Sequence, residues 1–135
     1  MIFQVDFQAG KPVYLQLADQ VRYAVASGRL QPGDALPALR PLAEELRINR
    51  NTIARAYAEL EAQGLVEIIQ GKGIFLTDNH GVLTEKTRRR LLLTEIDEAV
   101  VMAHQLRVER EKFLALVNER LDYFESKAAG AQEAK

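Results

Sequence analysis

The chain has 135 residues, 47% of them hydrophobic, and a formal net charge of −1. This composition supports a folded core, and it excludes a disordered chain or a uniformly basic protein that coats nucleic acid. The absence of cysteine excludes disulfides and thiolate metal sites and fits a reducing cytosol. With no secretory signal and no apolar run near the roughly 18 residues of a membrane span, we expect a cytoplasmic protein without a membrane partner.

A first helix is predicted after Pro12, a residue suited to a first helical turn because its missing N–H would be unpaired there. Its buried stripe recurs at helical spacing and consists of Tyr14, Leu17, Ala18, Val21, Ala24 and Val25. Gly28 can adopt the left-handed conformation that commonly ends a helix, so this helix is predicted to end there. Residues 31–34, Gln-Pro-Gly-Asp, predict a β-turn, with proline at its second position and glycine at its third.

Two short helices joined by a tight turn are predicted next. Pro41 is tolerated only in a first turn, so the second helix begins near residues 38–40. Asn49 is a good N-cap for the third helix, which ends at Gly64. The apolar residues at helical spacing are Leu39, Leu42, Ala43 and Leu46, then Ile53, Ala56, Tyr57 and Leu60.

A glycine-tipped hairpin follows the third helix. The runs Leu65–Ile69 and Ile74–Thr77 are β-rich, and residues 70–73 join them. The fold class expected is therefore mainly α with a small β-hairpin: a winged helix-turn-helix domain, followed by a two-helix C-terminal dimerisation region. A winged helix-turn-helix is a shape that enters DNA grooves.

The remaining chain predicts two helices, at about residues 84–104 and 109–124. We expect three parts in all: the winged domain at 1–78, the two-helix dimerisation region at 79–125 and a disordered tail at 126–135. Two helices alone cannot bury their large apolar faces, which favours packing on a second copy over an intrachain core only. The candidate dimer interface consists of Leu92, Ile96, Val100, Phe113, Val117 and Leu121.

The outward face of the third helix carries the candidate DNA contacts. With Ile53 in the core, Asn51 and Arg55 project to the opposite side, where amide and guanidinium groups can contact base edges. Arg50 and Thr52 lie on the flanks and suit phosphate oxygens. The alternative is an ordinary solvated polar face, but the absence of acids on it favours DNA.

Other cations are weaker candidates. Arg40, near the start of the second helix, suits a phosphate, although it can also pair with Glu44. Gly71 and Lys72 at the hairpin tip can approach the DNA backbone or a minor groove. The run of Lys86 and Arg88–Arg90 opposes its helix dipole, yet a solvated face is favoured for it.

Catalysis finds little support in the sequence. His80 and His104 have no paired ligand at helical spacing, and no phosphate-cradling glycine loop or nucleophile motif occurs. We therefore expect no enzyme, no metal site and no cofactor.

Residues 12–77 closely resemble the DNA-binding domain of the GntR family of bacterial regulators, and the whole chain is most similar to the YtrA-type subfamily. The matching residues include Pro12-Val13-Tyr14, Gln16, Pro32-Gly33-Asp34, Leu36-Pro37, Arg40, Leu42-Ala43, Asn49-Arg50, Thr52, Ala56-Tyr57, Leu60, Gly64 and Gly71–Gly73. Ala38 departs from the usual serine, so a capping or phosphate-binding hydroxyl is lost there.

The resemblance implies a homodimeric winged-helix repressor of transcription, often encoded beside transporter genes. It implies DNA contacts at Arg40, Arg50, Thr52 and Gly71, and it places Asn49 and Asn51 at contact positions whose identity varies. The roughly 55 residues after Asp78 are too few for the effector domains of larger relatives, so any effector stays open. The alternative function is a winged-helix protein-interaction module that does not bind DNA.

Overall fold

A computed structural model describes residues 2–78 and 83–133, except for the side chains of residues 132 and 133. The chain divides into two compact units, residues 1–80 and 81–135. The predicted polar boundary near residues 78–81, together with His80, lies mostly outside the described residues. No helix in the described part is long and apolar enough to cross a membrane.

The described residues form five helices and three strands. The first unit contains α1 (Val13–Ala26), β1 (Ala35–Leu36), α2 (Leu39–Leu46), α3 (Arg50–Ala62), β2 (Val66–Ile69) and β3 (Gly73–Leu76). The second unit contains α4 (Glu85–Gln105) and α5 (Arg110–Glu133). The predicted winged helix-turn-helix and the two C-terminal helices are confirmed.

The N-terminal leader is fixed along α1 by two glutamine side chains. Gln20 Oε1 accepts from the backbone N–H of Gln4 at 2.9 Å, and its amide donates back to the carbonyl of the same residue. Gln16 does the same for Asp6 and also donates to the Lys11 carbonyl. These bonds satisfy backbone groups that have no sheet or helix to pair with.

A three-stranded antiparallel sheet forms the wing, in the order β1-β3-β2. The register sets Leu36 opposite Ile74, and Val66 opposite Leu76. The sequence predicted only the hairpin of β2 and β3. The added strand β1 has two residues and forms because the predicted β-turn, closed by a bond from Asp34 N to Gln31 O at 3.0 Å, returns the chain to β3.

Two local features define the geometry of the helix-turn-helix, a hydrogen bond from α3 and a left-handed residue at the end of α2. The Tyr57 hydroxyl donates to the Pro37 carbonyl at 2.8 Å, tying α3 to the start of α2. Burial raises the pKa of this hydroxyl, so it stays a donor at physiological pH. Arg47 ends α2 in the left-handed conformation at φ 57°, a region that favours glycine.

An apolar core fills the first unit. All four apolar residues predicted on the inner face of α3 are buried, with 0–1% of their surface exposed. They pack with residues of α1, α2, the wing and the leader, where Phe3 is 7% exposed. The sequence did not identify this leader residue as part of the core.

The second unit is different, because none of the residues from 83 to 131 is buried. Thr84 caps α4 by accepting a bond from the backbone N–H of Thr87 at 3.1 Å. The helix α5 continues to Glu133, whereas the sequence predicted a disordered tail from residue 126. Alanine supplies this extension, since its high helix propensity needs no apolar stripe.

Candidate nucleic-acid interface

The start of α3 is shaped by its cap. Asn49 Oδ1 accepts from the backbone N–H of Asn51 at 2.8 Å, as predicted for an N-cap residue. This bond uses the side-chain oxygen of Asn49 and leaves its amide N–H groups out of the cap. Arg50 and Asn51 are both exposed directly after the cap, and Thr52 is half-buried.

The first part of α3 and the turn before it carry positive charge without acids. No acid occurs between Glu45 and Glu59, a stretch that contains Arg47, Arg50 and Arg55. Within residues 2–78, no acid lies within ion-pairing distance of these three guanidinium groups. Their charge is therefore not neutralised by the winged unit itself.

The structure brings Arg40 and Arg50 together on the α2 flank of α3. Both line a depression of about 430 Å³, with Ala43, Glu44 and Ile48 as the other lining residues. Ala38 at the N-cap of α2 makes no side-chain capping bond, in agreement with the lost serine. The first N–H groups of α2 and the two guanidinium groups suit an anion, whereas the Glu44 carboxylate opposes one.

Arg55 lies on the other flank of α3. Its guanidinium carbon is 3.9 Å from the centroid of the Tyr14 ring, which belongs to α1. The helical wheel predicted that this arginine projects to the groove floor together with Asn51. The structure instead turns it toward α1, because α1 packs against α3 and presents an aromatic face there. Sequence reasoning placed Tyr14 only in the buried stripe of α1 and missed this contact.

The wing tip is open to close approach. Gly71 and Gly73 have φ of 80° and 127°, and the N–H of Lys72 donates to the Ile69 carbonyl at 3.0 Å to close the turn. A Cβ added at Gly71 would meet nothing within 4 Å. Both the exposed Lys72 side chain and the bare backbone of Gly71 can therefore approach a DNA backbone.

The six residues predicted for the dimer interface lie on open helix faces. Five of them are exposed, and Phe113 is half-buried. Leu92 and Leu121 have the largest exposed fractions of the five, 62% and 53%. A groove of about 350 Å³ runs along α5 and is lined by Phe113, Leu116, Val117, Arg120, Leu121 and Phe124. All of its lining residues come from α5, so no other described element of the second unit lines this groove.

The remaining candidates are simpler. Lys86 and Arg88–Arg90 are exposed near the start of α4 and form no ion pair with another described residue. His104 lies in the last turn of α4. Residues 2–78 and 83–133 contain no group of three or more potential metal ligands.

Residues 13–76 match the family described as bacterial regulatory proteins, gntR family. The chain is 30% identical over 118 residues to the HTH-type transcriptional repressor YtrA of Bacillus subtilis (strain 168), covering 87% of this chain and 91% of that protein. It is 36% identical over 109 residues to the uncharacterized HTH-type transcriptional regulator YhcF of the same organism, covering 81% and 89%.

Solved structures with the same fold include a protein described as a transcriptional antiterminator from Listeria monocytogenes EGD-e, with a TM-score of 0.77 at 26% identity and 92% coverage of both chains. YtrA from Sulfolobus acidocaldarius, described as a GntR-family transcription factor, gives 0.61 at 26% identity, covering 90% and 97%. The DNA-binding domain of AraR in complex with operator ORX1 gives 0.51 at 27% identity, covering 57% of this chain and 99% of that domain.

Proposed function

The chain belongs to the gntR family of bacterial regulatory proteins, and on that basis we propose that it is a sequence-specific, homodimeric repressor that binds an inverted-repeat operator. Transcriptional regulation is the work of this family, which is not a family of enzymes. The dimer, the operator symmetry and the repressor role are the parts that need experiment.

The observation that carries the proposal is the charge around α3. Arg50 and Arg55 flank an exposed face of α3 that carries no acid before Glu59, and both guanidinium groups are without an ion-pair partner among residues 2–78. Unpaired guanidinium groups suit contacts with phosphate oxygens, and Asn51 between the flanks can donate to and accept from an adenine edge. The AraR domain, which shares this fold, is bound to its operator.

Dimerisation is supported by the open apolar faces of α4 and α5. In a two-fold symmetric dimer the two α3 helices would enter successive major grooves about 34 Å apart, and the operator would be an inverted repeat. A second copy also removes the exposed apolar stripes from water.

The genes controlled follow from the resemblance to YtrA-type regulators. We propose that the operator lies upstream of the regulator's own operon and of neighbouring transporter genes. Selection of bound fragments from genomic DNA gives the operator sequence and the half-site spacing in one experiment.

Fluorescence-anisotropy titration of the selected operator tests the DNA-binding role. We expect the affinity to fall steeply as salt rises, because bound arginines release counterions from DNA. Arg50→Ala should weaken binding by about 1–3 kcal/mol.

Arg29→Ala is the matched control. It removes the same charge beyond the C-terminal end of α1, whereas Tyr14, which contacts Arg55, lies near the opposite end of that helix. This variant should bind as tightly as the wild type. Salt-independent binding, or wild-type affinity in the Arg50 variant, would reject the proposed contact, and no binding to any duplex would favour a protein-interaction module.

A further inference from the structure

Arg55 and Tyr14 form a cross-helix stack beside the proposed DNA-binding face. The guanidinium carbon lies 3.9 Å from the ring centroid, close enough for a full cation–π contact. Arg55 is exposed and has no hydrogen bond or ion pair with any residue in 2–78. The aromatic ring is thus its only specific partner among those residues.

The stack places two arginines on opposite flanks of α3. Arg50 and Arg55 are five residues apart, which corresponds to about 140° around the helix. Arg50 lines the depression on the α2 side, and Arg55 contacts α1 on the other side. Asn51 and Ala58 lie between the two flanks, on the side opposite Ile53.

We propose that Tyr14 is a positioning residue that holds Arg55 as a phosphate contact on the α1 flank of α3. With Arg50 on the α2 flank, the helix then grips the sugar–phosphate backbone on both sides of a major groove. The groove floor is left to Asn51 and the slim surface of Ala58. This inference rests on the proposed DNA-binding function.

The chemistry of the stack suits this role. The N–H groups of a guanidinium point outward in its own plane, so an aromatic ring beneath that plane leaves the donors open. Because the ring also holds the guanidinium plane in place before binding, Arg55 loses less conformational entropy when it binds a phosphate. A base contact would need the side chain to extend along the direction of Asn51, and the contact with α1 turns it away from that direction.

A simpler role for the stack is to tie α1 to α3. Tyr14 is half-buried and packs against the core, so its removal can loosen the winged unit whether or not DNA is present. A change in DNA affinity alone therefore does not separate the two roles. The separation needs the dependence of the Tyr14 effect on Arg55.

The experiment is a double-mutant cycle on the selected operator with Tyr14→Leu, Arg55→Gln and the double variant. Arg55→Gln should weaken binding about tenfold or more, as expected for a lost charged hydrogen bond. The loss should be uniform across operator variants with single base changes, and the salt slope should fall by about 1 for each phosphate contact removed. Tyr14→Leu should weaken binding about threefold or more when Arg55 is present, and it should have no effect in the Arg55→Gln background.

Two control variants sharpen the cycle. Tyr14→Phe retains the ring and should stay within about twofold of the wild type. Tyr23→Leu makes the same change on the same helix, where the ring faces Arg29 at 5.8 Å, and it should leave DNA affinity unchanged. Circular dichroism melts of all variants identify any that are unfolded at the assay temperature.

The outcomes separate the inference from the function on which it depends. If the wild-type protein binds no duplex, both fail. If the wild type binds and Tyr14→Leu weakens binding equally with and without Arg55, the ring has only a structural role. If Arg55→Gln changes the preference at one base pair and leaves the salt slope intact, Arg55 contacts a base and the phosphate assignment is wrong.

Discussion

The two units of the chain reach their folds in different ways. The winged unit, residues 1–80, contains every buried apolar residue of the described chain, whereas no residue from 83 to 131 is buried. The first unit thus forms an apolar core by itself. The second exposes apolar side chains on both of its helices, and such a surface is stable in water only when something covers it.

The polar contacts differ in the same way. The two ion pairs between described residues, Lys11 with Asp19 and Arg22 with Asp19, both lie in the winged unit. In α5 the cation–π contacts are local, since Arg120 and Lys127 contact rings that are three to four residues away on the same helix. Local contacts support a helix but do not define a tertiary fold. Within the described residues, the second unit therefore has fewer contacts that define a tertiary fold than the winged unit has.

The largest effect is expected from charges on the open face of the second unit. Ile96→Glu combined with Leu121→Glu places a carboxylate on the apolar stripe of each helix. If a second copy covers these stripes, the variant becomes a monomer and operator affinity falls about 100- to 10,000-fold, because the two half-sites are no longer linked. Light scattering gives the mass, and anisotropy gives the affinity.

Val101→Glu is the control for this pair. Val101 is 66% exposed and lies on the side of α4 opposite Ile96, so the variant should remain dimeric. A dimeric mass for the double variant, or a monomeric wild type at micromolar concentration, would mean that these stripes are not the dimer interface.

A core substitution in the winged unit should act without regard to protein concentration. Leu60→Ala removes a side chain that is 0% exposed and should lower the free energy of unfolding by about 2–5 kcal/mol. Leu92→Ala, at a residue that is 62% exposed, should cost about 0.5 kcal/mol or less in dilute protein and more at higher concentration, where the dimer forms. Urea denaturation followed by circular dichroism at two protein concentrations measures both. Equal concentration dependence for the two variants would remove the distinction between the units.

Backbone strain occurs once in each unit and gives a smaller effect of opposite sign. Arg47 and Arg107 are the non-glycine residues of the described chain with positive φ, both at 57°. Glycine adopts this conformation without the clash of a Cβ, so Arg47→Gly should stabilise the winged unit by about 0.5–1 kcal/mol. Thermal melting measures the gain, and Arg107→Gly is the matched change in the second unit. A lower melting temperature for Arg47→Gly would show that the arginine side chain stabilises the turn by more than the strain costs.

The smallest effect concerns the ion pairs of the winged unit. Burial raises the pKa of Asp19, but the hydrogen bonds from Lys11 and Arg22 lower it by more than burial raises it. The pKa is therefore below the ordinary 3.8. A lowered pKa in the folded state stabilises the protein above about pH 4, and this contribution is lost as pH falls through the folded pKa. Asp19→Asn should therefore cost a few tenths of a kcal/mol at pH 7, since the groups are well exposed, and less as pH falls below about 4. Urea denaturation of both proteins across this pH range checks the difference, and a constant gap at all pH values would exclude the ion pairs as its cause.

Local chemistry was enough to predict much of the fold. The Gln31–Asp34 turn, the Asn49 cap and the inner face of α3 each follow from residues within a few positions of one another. Helical spacing also located α4 and α5, because their apolar stripes repeat over several turns. These predictions succeed where the interacting groups are close in sequence.

The differences between prediction and structure arise where residues distant in sequence come into contact, or where a segment is too short to show a periodic pattern. The strand β1 has two residues, too few for an alternating pattern, and it exists only through pairing with β3. The turn of Arg55 onto Tyr14 depends on how α1 packs against α3, and a wheel of one helix does not contain that information. For the candidate site, helical spacing predicted Arg50 on a flank of α3, while the packing of α1 decided which way Arg55 turns.

The leader along α1 has a consequence for how this protein can diverge among its relatives. Gln16 and Gln20 contact the leader only through main-chain N–H and carbonyl groups, and Phe3 is the one buried side chain among the described leader residues. Most of the other leader side chains are exposed and can change without altering the path of the chain, whereas Val5 packs against the core and Lys11 pairs with Asp19. Over evolutionary time we expect the two glutamines and apolar residues at positions 3 and 5 to persist while the exposed residues drift, so that an alignment would score this segment as variable although its structure is retained.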